Sequence, residues 1–231
     1  MRLHRFFVSP DQVELKQFIW IKDQSIRNQW QKVLRYNVGQ QVVLFDGEKT
    51  DRLYKIVMIE PDATKLELIT EFERQLPDFH LYLMFSLLKK DKNDWVLQKA
   101  TELGVTHFVP ITADRSEKLG FNHDRARRII IEAAEQCGRS DIPVIREPIN
   151  IQTALDDYTN MLELYVAEHG SGTKICEKAS SRGVFIGPEG GWTDKEKKLF
   201  DQYVVKSVGL GRFILRAETA CVVAVAKLLN I

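Results

Sequence analysis

The sequence predicts an α/β protein built as a small mixed-β domain, residues 1–72, followed by a larger α/β domain, residues 78–231. Three observations carry this. From Leu81 onward, short apolar runs alternate with stretches of helical periodicity, the pattern of strands separated by helices. Ahead of Leu81, several short strand-like runs surround one helical stripe, which suits a small barrel. Between them Glu71–Asp78 is charged and holds Pro77, the composition of a linker.

In the first domain, Leu3–Val8 and Phe18–Ile21 are apolar runs of strand length. Ile26, Trp30, Val33 and Leu34 recur at helical spacing, with Arg27 and Lys32 outside the stripe. Gln41–Phe45 and Leu53–Ile59, joined through Asp46-Gly47, read as a hairpin-type pair with a loop longer than two residues. Thr64–Ile69 alternates, with Leu66 and Leu68 on one face. Arg2, Arg5 and Arg35 are the basic residues here that suit phosphate contacts, set against the plainer reading of arginines that keep a barrel soluble.

In the second domain, Leu81–Leu88 is a strongly apolar strand followed by Lys89, Lys90 and Lys92, a cluster that more often means a solvated loop than an anion site. Asp94 is placed to cap a helix whose stripe is Val96, Leu97, Ala100 and Leu103, ended by Gly104, with Lys99 and Glu102 off the stripe. Val105–Ile111 is the next strand, and Arg115 and Ser116 follow it in a polar loop. Asp124–Cys137 is the clearest helix: Ala126, Ile129, Ile130, Ala133, Ala134 and Cys137 form one stripe, and Gly138 stops it. Arg125, Arg127 and Arg128 make a charged outer face, and Glu135, Gln136 and Arg139 stand at the helix's carboxyl end. Ile151–Tyr158 reads as a helix and Leu162–Ala167 as a strand closed by Glu168-His169-Gly170.

The chain then repeats one layout twice. Val184–Ile186 and Val204–Val208 are buried-strand runs, each ending in a glycine-rich bend. Gly187, Gly190 and Gly191 leave room for a flat ligand against the main chain. Thr193-Asp-Lys-Glu196 is a capping-box pattern that starts a helix directly behind them. Gly209-Leu-Gly211 is followed by a helix beginning near Glu218 or Thr219. Such loops lie at the carboxyl ends of strands, where open α/β sheets bind ligands. No phosphate-binding Gly-x-x-x-x-Gly-Lys-Ser/Thr string is present, Gly209-x-Gly211 lacks the third glycine of a dinucleotide fingerprint, and Glu189 repels phosphate.

Bulk properties exclude more than they assign. The 231 residues are 44% hydrophobic and 28% charged, ordinary for a globular protein. A net charge of +1 gives no overall pull toward nucleic acid or membrane, so an RNA footprint must be a local patch. Cys137, Cys176 and Cys221 show no metal-ligand spacing, so reduced thiols, a cytoplasmic location and no metal are expected. No run has the length of a membrane span, and no signal peptide is expected.

Gly187–Glu196 (GPEGGWTDKE) and Leu210–Ala220 (LGRFILRAETA) closely resemble the RsmE family, the bacterial 16S ribosomal RNA uracil-N3 methyltransferases of the SPOUT superfamily. The resemblance continues through Gln98–Val105, Glu132–Gln136, Arg139 and Pro143, and reaches the amino terminus at Arg5–Val8 and Val33–Arg35. It implies a PUA-like N-terminal β-barrel, a SPOUT-type α/β methyltransferase domain with a C-terminal trefoil knot, and a homodimer. It implies S-adenosylmethionine as cofactor and 16S ribosomal RNA or the small ribosomal subunit as partner. Cofactor contacts carried over to this chain are Glu168, Gly187, Pro188, Glu189, Gly190, Gly191, Leu210, Gly211, Ile214, Leu215, Arg216 and Thr219; RNA contacts are Arg5, Arg35, Arg115 and Arg139. The chain departs from its relatives in two places. Phe213 stands where they usually carry arginine, with Arg212 one residue earlier, and Asn28 and Gln29 replace a common histidine.

The chemistry narrows the roles. A carboxylate tight against a sulfonium stabilises the starting state more than the transition state, so Glu189 is expected to order its loop or touch the ribose. Uracil N3 is protonated at neutral pH, so a base, or a cation for the developing anion, is required. Arg216 is the candidate cation, and Glu218 or Glu189 the candidate base; an acid in the first turn of a helix is also favoured by the helix dipole alone. The target uridine must be unpaired or extruded. The last helix, Ala220–Leu229, is apolar nearly all round, with Lys227 its only charge, which suits a face covered by a second copy. A non-catalytic RNA-binding or ribosome-assembly factor, or a methyltransferase acting on another RNA, also fits these residues.

Overall fold

A computed structural model of the chain describes residues 3–116, 120–170, 172, 175 and 180–230; of the residues singled out from sequence, Arg2, Cys176 and the side chain of Lys90 lie outside the described residues. The chain divides into two compact units, Met1–Leu76 with Ala134–Ile142, and Pro77–Ala133 with Pro143–Ile231.

The first unit is organised on five strands: β1 (Arg5–Phe7), β2 (Phe18–Ile21), β3 (Gln41–Phe45), β4 (Asp51–Ile59) and β5 (Thr64–Glu71). Their order is β1-β3-β4-β5-β2, with β1 parallel to β3 and the other pairs antiparallel. Alternation turns Ile19 and Ile21, Val42 and Leu44, Tyr54 and Ile56, and Leu66 toward a core that also holds Trp30. The β3–β4 loop is closed by Asp46, whose Oδ1 accepts the N–H groups of Glu48, Lys49 and Thr50 at 2.9, 2.7 and 2.9 Å. Burial pushes the Asp46 carboxyl up, but these donors together outweigh it and hold the group below its ordinary value.

The helical stripe of this unit holds at Ile26, Trp30 and Leu34 but not at Val33. Helix α1 (Gln24–Asn28), capped by Asp23, passes into a π-helical turn over Gln29–Val33, with Leu34 N–H donating to Gln29 O at 2.9 Å. The wider turn rotates Val33 out to solvent, while Leu34 still packs on the core. Trp30 is buried, whereas Val33 is 72% exposed. Arg27 is not outside the stripe: it is 3% exposed and donates to the carbonyls of Glu60 and Pro61.

The second unit carries a seven-stranded sheet of β6 (His80–Ser86), β7 (His107–Thr112), β8 (Val144–Ile145), β9 (Ile149–Asn150), β10 (Glu163–Glu168), β11 (Ser181–Ile186) and β12 (Lys206–Gly209). The order is β12-β10-β11-β6-β7-β8, with β9 beside β7, and all pairs are parallel. Helices are α2 (Lys90–Leu103), α3 (His123–Cys137), α4 (Ile151–Tyr158), α5 (Asp194–Gln202) and α6 (Ala217–Leu229). One sheet face, with Met84, Val109, Leu164, Val166 and Phe185, packs against Ala154 and Leu155 of α4 and Phe200 of α5. Helix α2 meets α6, which also contacts β6 and β11. Because β11 is inserted between β6 and β10 while β12 lies outside β10, the carboxyl ends of β10, β11 and β12 converge on one region.

Several elements differ from the sequence reading. Asp94 caps nothing. The turn into α2 is closed by Asn93, which bonds Leu88 N–H and C=O at 3.0 and 2.8 Å, and Asp94 lies further in, paired with Arg125 at 2.5 Å. Arg125 is therefore more than a solvated face. Val204 has φ 52° and is 82% exposed, so β12 begins only at Lys206, and α6 begins at Ala217. Cys137, at the end of its stripe, is exposed. Gly104 and Gly138 end their helices with φ 107° and 87°, as expected.

Candidate active site

The first wall of the site follows β11. Its loop, Gly187–Trp192, turns through Gly191 at φ 67°, with Gly191 N–H on Pro188 O at 2.8 Å. Behind it the capping box forms: Thr193 Oγ1 accepts Glu196 N–H, and Glu196 Oε2 accepts Thr193 N–H at 2.7 Å. The other oxygen of Glu196, a residue only 4% exposed, accepts Asp114 N–H at 2.8 Å. Trp192 packs edge-on to Phe200 with ring centroids 5.1 Å apart. Its indole lies against Gly187, where a Cβ would sit 3.1 Å from the ring. Arg115 donates to Gly190 O at 2.8 Å.

The second wall follows β12 and is held mainly by backbone. Leu210 N–H donates to Glu168 O at 3.0 Å, Gly170 N–H to Gly211 O at 3.0 Å, and the His169 ring bonds Arg212 O at 2.8 Å. The chain after β10 passes so close to β12 that a Cβ on Gly172 would lie 2.2 Å from Gly209 N. Beyond this crossing the side chains point outward: Phe213 is 68% and Ile214 88% exposed, with the Arg212 guanidinium 4.6 Å over the Phe213 ring. Arg216 is the N-cap residue of α6 and is exposed, and its side chain makes no hydrogen bond or ion pair among the described residues.

Between the walls lies a cavity of about 420 Å³. Glu168 and His169 line one side, Gly187, Pro188, Glu189, Gly191 and Trp192 the second, and Leu210 with Phe213–Ala217 the third. Ala220 of α6 completes the lining. Of the cofactor residues expected from sequence, Gly190, Gly211 and Thr219 are not on the lining: Gly190 is engaged by Arg115, and Gly211 by Gly170. Trp192, Ala217 and Ala220 were not expected. The tryptophan had a signal, since a large ring inside a glycine loop must pack somewhere. Its indole N–H is buried and has no hydrogen-bond partner among the described residues.

The two candidate carboxylates share one cation. Lys92 Nζ lies 2.6 Å from Glu189 Oε1 and 3.5 Å from Glu218 Oε2. Hydrogen bonding to Lys92 holds the Glu189 carboxyl below the usual range, and the same contact pushes the ammonium up. Cys221 of α6 is fully buried, and burial pushes its thiol far up, so it stays protonated. Among the described residues no group of three or more His, Cys, Asp or Glu could hold a metal ion.

The four RNA-directed arginines fall into two kinds. Arg35, at φ 53°, and Arg115 are exposed. Arg5 and Arg139 are turned inward: Arg5 grips the fully buried Asp51 at 2.7 Å and donates to Arg139 O, while Arg139, 7% exposed, pairs with Asp141 at 2.6 Å.

A family model described as an RNA methyltransferase domain matches residues 74–229, and an RNA methyltransferase PUA domain model matches residues 31–69. The "Ribosomal RNA small subunit methyltransferase E" of Rickettsia conorii is 30% identical over 98% of this chain and 95% of that protein. The chain belongs to the small-subunit ribosomal RNA methyltransferase E family. A crystal structure of the methyltransferase E of Neisseria gonorrhoeae bound to S-adenosyl methionine superposes with TM-score 0.86 at 28% identity, covering 99% of this chain and 98% of that one. A putative methyltransferase of Legionella pneumophila in complex with the bound cofactor SAM also has TM-score 0.86, at 25% identity, covering 100% and 98%. The family resemblance carried by Gly187–Glu196 and Leu210–Ala220 thus extends over the whole methyltransferase E fold, with a PUA-like domain ahead of the α/β unit.

Proposed function

We propose that this protein methylates N3 of a uridine in 16S ribosomal RNA of the small subunit, using S-adenosylmethionine. The observation that carries the reading is the cavity between two glycine-bent loops, with the exposed Arg216 side chain at its rim, in a chain of this family. The residues present fit the cofactor. The cavity has the size of a small-molecule site, its walls are mostly apolar, and a Cβ at Gly187 would meet the Trp192 ring, so the loop keeps its main chain open to a ligand. Gly187, Leu210 and Leu215 would hold the ligand by main-chain groups, with Glu168 and Glu189 at the edges. When bound, S-adenosylmethionine supplies an electrophilic methyl group.

The chain's own residues then manage charge and protons. Arg216 stabilises the negative charge that spreads over the uracil oxygens as N3 loses its proton. Glu218, with a side chain 16% exposed in the first turn of α6, or Glu189 accepts that proton. Arg35 and Arg115 contact RNA phosphate directly, whereas Arg5 and Arg139 act through the shape they give their loops. Residues 1–72 form the PUA-like barrel that presents RNA, and residues 78–231 the methyltransferase domain. A trefoil knot is supported by the insertion of β11 inside β10 and by the close crossing at Gly172. A homodimer is supported by Val222, Val223 and Ala226, which leave an apolar side of α6 partly open. The enzyme works in the cytoplasm, where its substrate is.

Arg216→Ala is expected to leave the thermal midpoint unchanged and lower the methyl-transfer rate by about a hundredfold or more. Near-normal turnover would remove the role given to Arg216. Mass spectrometry of ribosomal RNA from cells with and without the gene tests the target: loss of one methylated uridine is expected. Cofactor binding with unchanged ribosomal RNA would point to a non-catalytic factor instead.

A further inference from the structure

We infer that Lys92 is a positioning residue: from outside the cavity, it straps the Gly187–Trp192 loop to the start of α6 and so sets cofactor affinity. The inference rests on the proposed S-adenosylmethionine site and adds a residue that is not on its lining. Lys92 belongs to the first turn of α2, an element that contributes nothing to the cavity wall. That turn is fixed by the two bonds between Asn93 and Leu88, at 3.0 and 2.8 Å, so the lysine projects from a defined base. Its ammonium reaches Glu189 of the first wall at 2.6 Å and Glu218, next to the second wall, at 3.5 Å. One cation thus joins three chain segments beside the site.

The charge arithmetic favours a strap over a reactive group. Two carboxylates beside a sulfonium would stabilise the starting state, and one lysine cancels one of them. With a side chain 26% exposed against a Glu189 side chain 46% exposed, the pair adds little to global stability. Its effect falls on binding. A loop already held in place does not have to be ordered when the ligand arrives.

Calorimetric titration of the full-length protein with S-adenosylmethionine, wild type against Lys92→Met, tests this. The expected result is a Kd raised about tenfold in the variant with an unchanged thermal midpoint. Lys92→Arg should restore affinity, and Glu189→Gln should reproduce the loss without adding to that of Lys92→Met. For Lys92→Met with RNA supplied, KM for the cofactor should rise while kcat stays within about twofold. A fall in kcat at unchanged Kd would overturn the positioning role. A ligand-free arm separates this idea from the cofactor assignment. Hydrogen exchange of amides 187–192 should quicken in Lys92→Met, and unchanged exchange overturns the strap whether or not the wild type binds S-adenosylmethionine. A wild type that binds none, with quickened exchange in the variant, would sink the cofactor reading and leave the strap standing.

Discussion

The two walls of the cavity look alike in sequence and are held differently. Both are strand, glycine-rich bend, helix. The first is gripped by side chains: Arg115 and Lys92 reach in from elsewhere to Gly190 and Glu189, while the wall's own Glu196 reaches Asp114 and Trp192 packs on Phe200. The second is fixed at its root by main-chain bonds to Glu168–Gly170, and beyond that it presents Phe213, Ile214 and Arg216 to solvent. The difference teaches a division of labour. One wall is preorganised by the fold, and the other is left to be completed by what binds.

The crossing at the root of the second wall gives the hardest way to break this contrast. Gly172→Ala places a methyl group 2.2 Å from Gly209 N and 2.7 Å from the Val208 backbone, where no side-chain rotation relieves the clash. The expected cost is above about 3 kcal/mol, read as loss of soluble protein or a collapsed thermal midpoint. A fully stable variant would mean that the root is not fixed at all. The first wall should yield less. Glu196→Ala removes the acceptor of two partly buried N–H groups and half of the capping box, at a cost of about 1–3 kcal/mol in chemical denaturation. Smaller still is a pH effect. Because Glu189 sits below its ordinary value when folded, its contribution to ordering the first wall is complete above the ordinary carboxylate range. It is lost as pH falls through the lowered value. The protection of amides 187–192, corrected for the intrinsic base-catalysed exchange rate, should therefore fall only in acid, and a loss of protection between neutral pH and the lysine range would contradict the pairing.

These contrasts also mark what a sequence can carry. Thr193 and Glu196 are three residues apart, so the capping box was legible and forms. Gly104 and Gly138 were legible because helix ends are local events. The strap was not: Lys92 and Glu189 are separated by 97 residues, and a lysine cluster after a strand has no local reason to be anything but solvated. Val33 went the wrong way because one π-helical turn over Gln29–Val33 shifts the period, whereas Arg27, ahead of that turn, is buried because its guanidinium reaches the carbonyls of Glu60 and Pro61, more than thirty residues on. Arg5 and Arg139 share this lesson. Given to RNA on charge and family resemblance, they also pair with Asp51 and Asp141, and the Asp51 partner, 46 residues from Arg5, had no local signal.

The smallest expected stability effect is the sharpest probe of the second wall. Ile214 is 88% exposed yet lines the cavity, so in the free protein its side chain buries little apolar area. Ile214→Ser should then change stability by less than about 0.5 kcal/mol, a thermal shift of at most about 2 °C. Binding is where the residue counts. If a ligand completes this wall, the isoleucine is buried only in the complex, and its loss weakens S-adenosylmethionine binding about five- to tenfold, the equivalent of one or two buried methylene groups. Both results are read from the same protein by thermal denaturation with and without ligand. A variant destabilised when free, with affinity unchanged, would show that the second wall packs for the fold as the first one does.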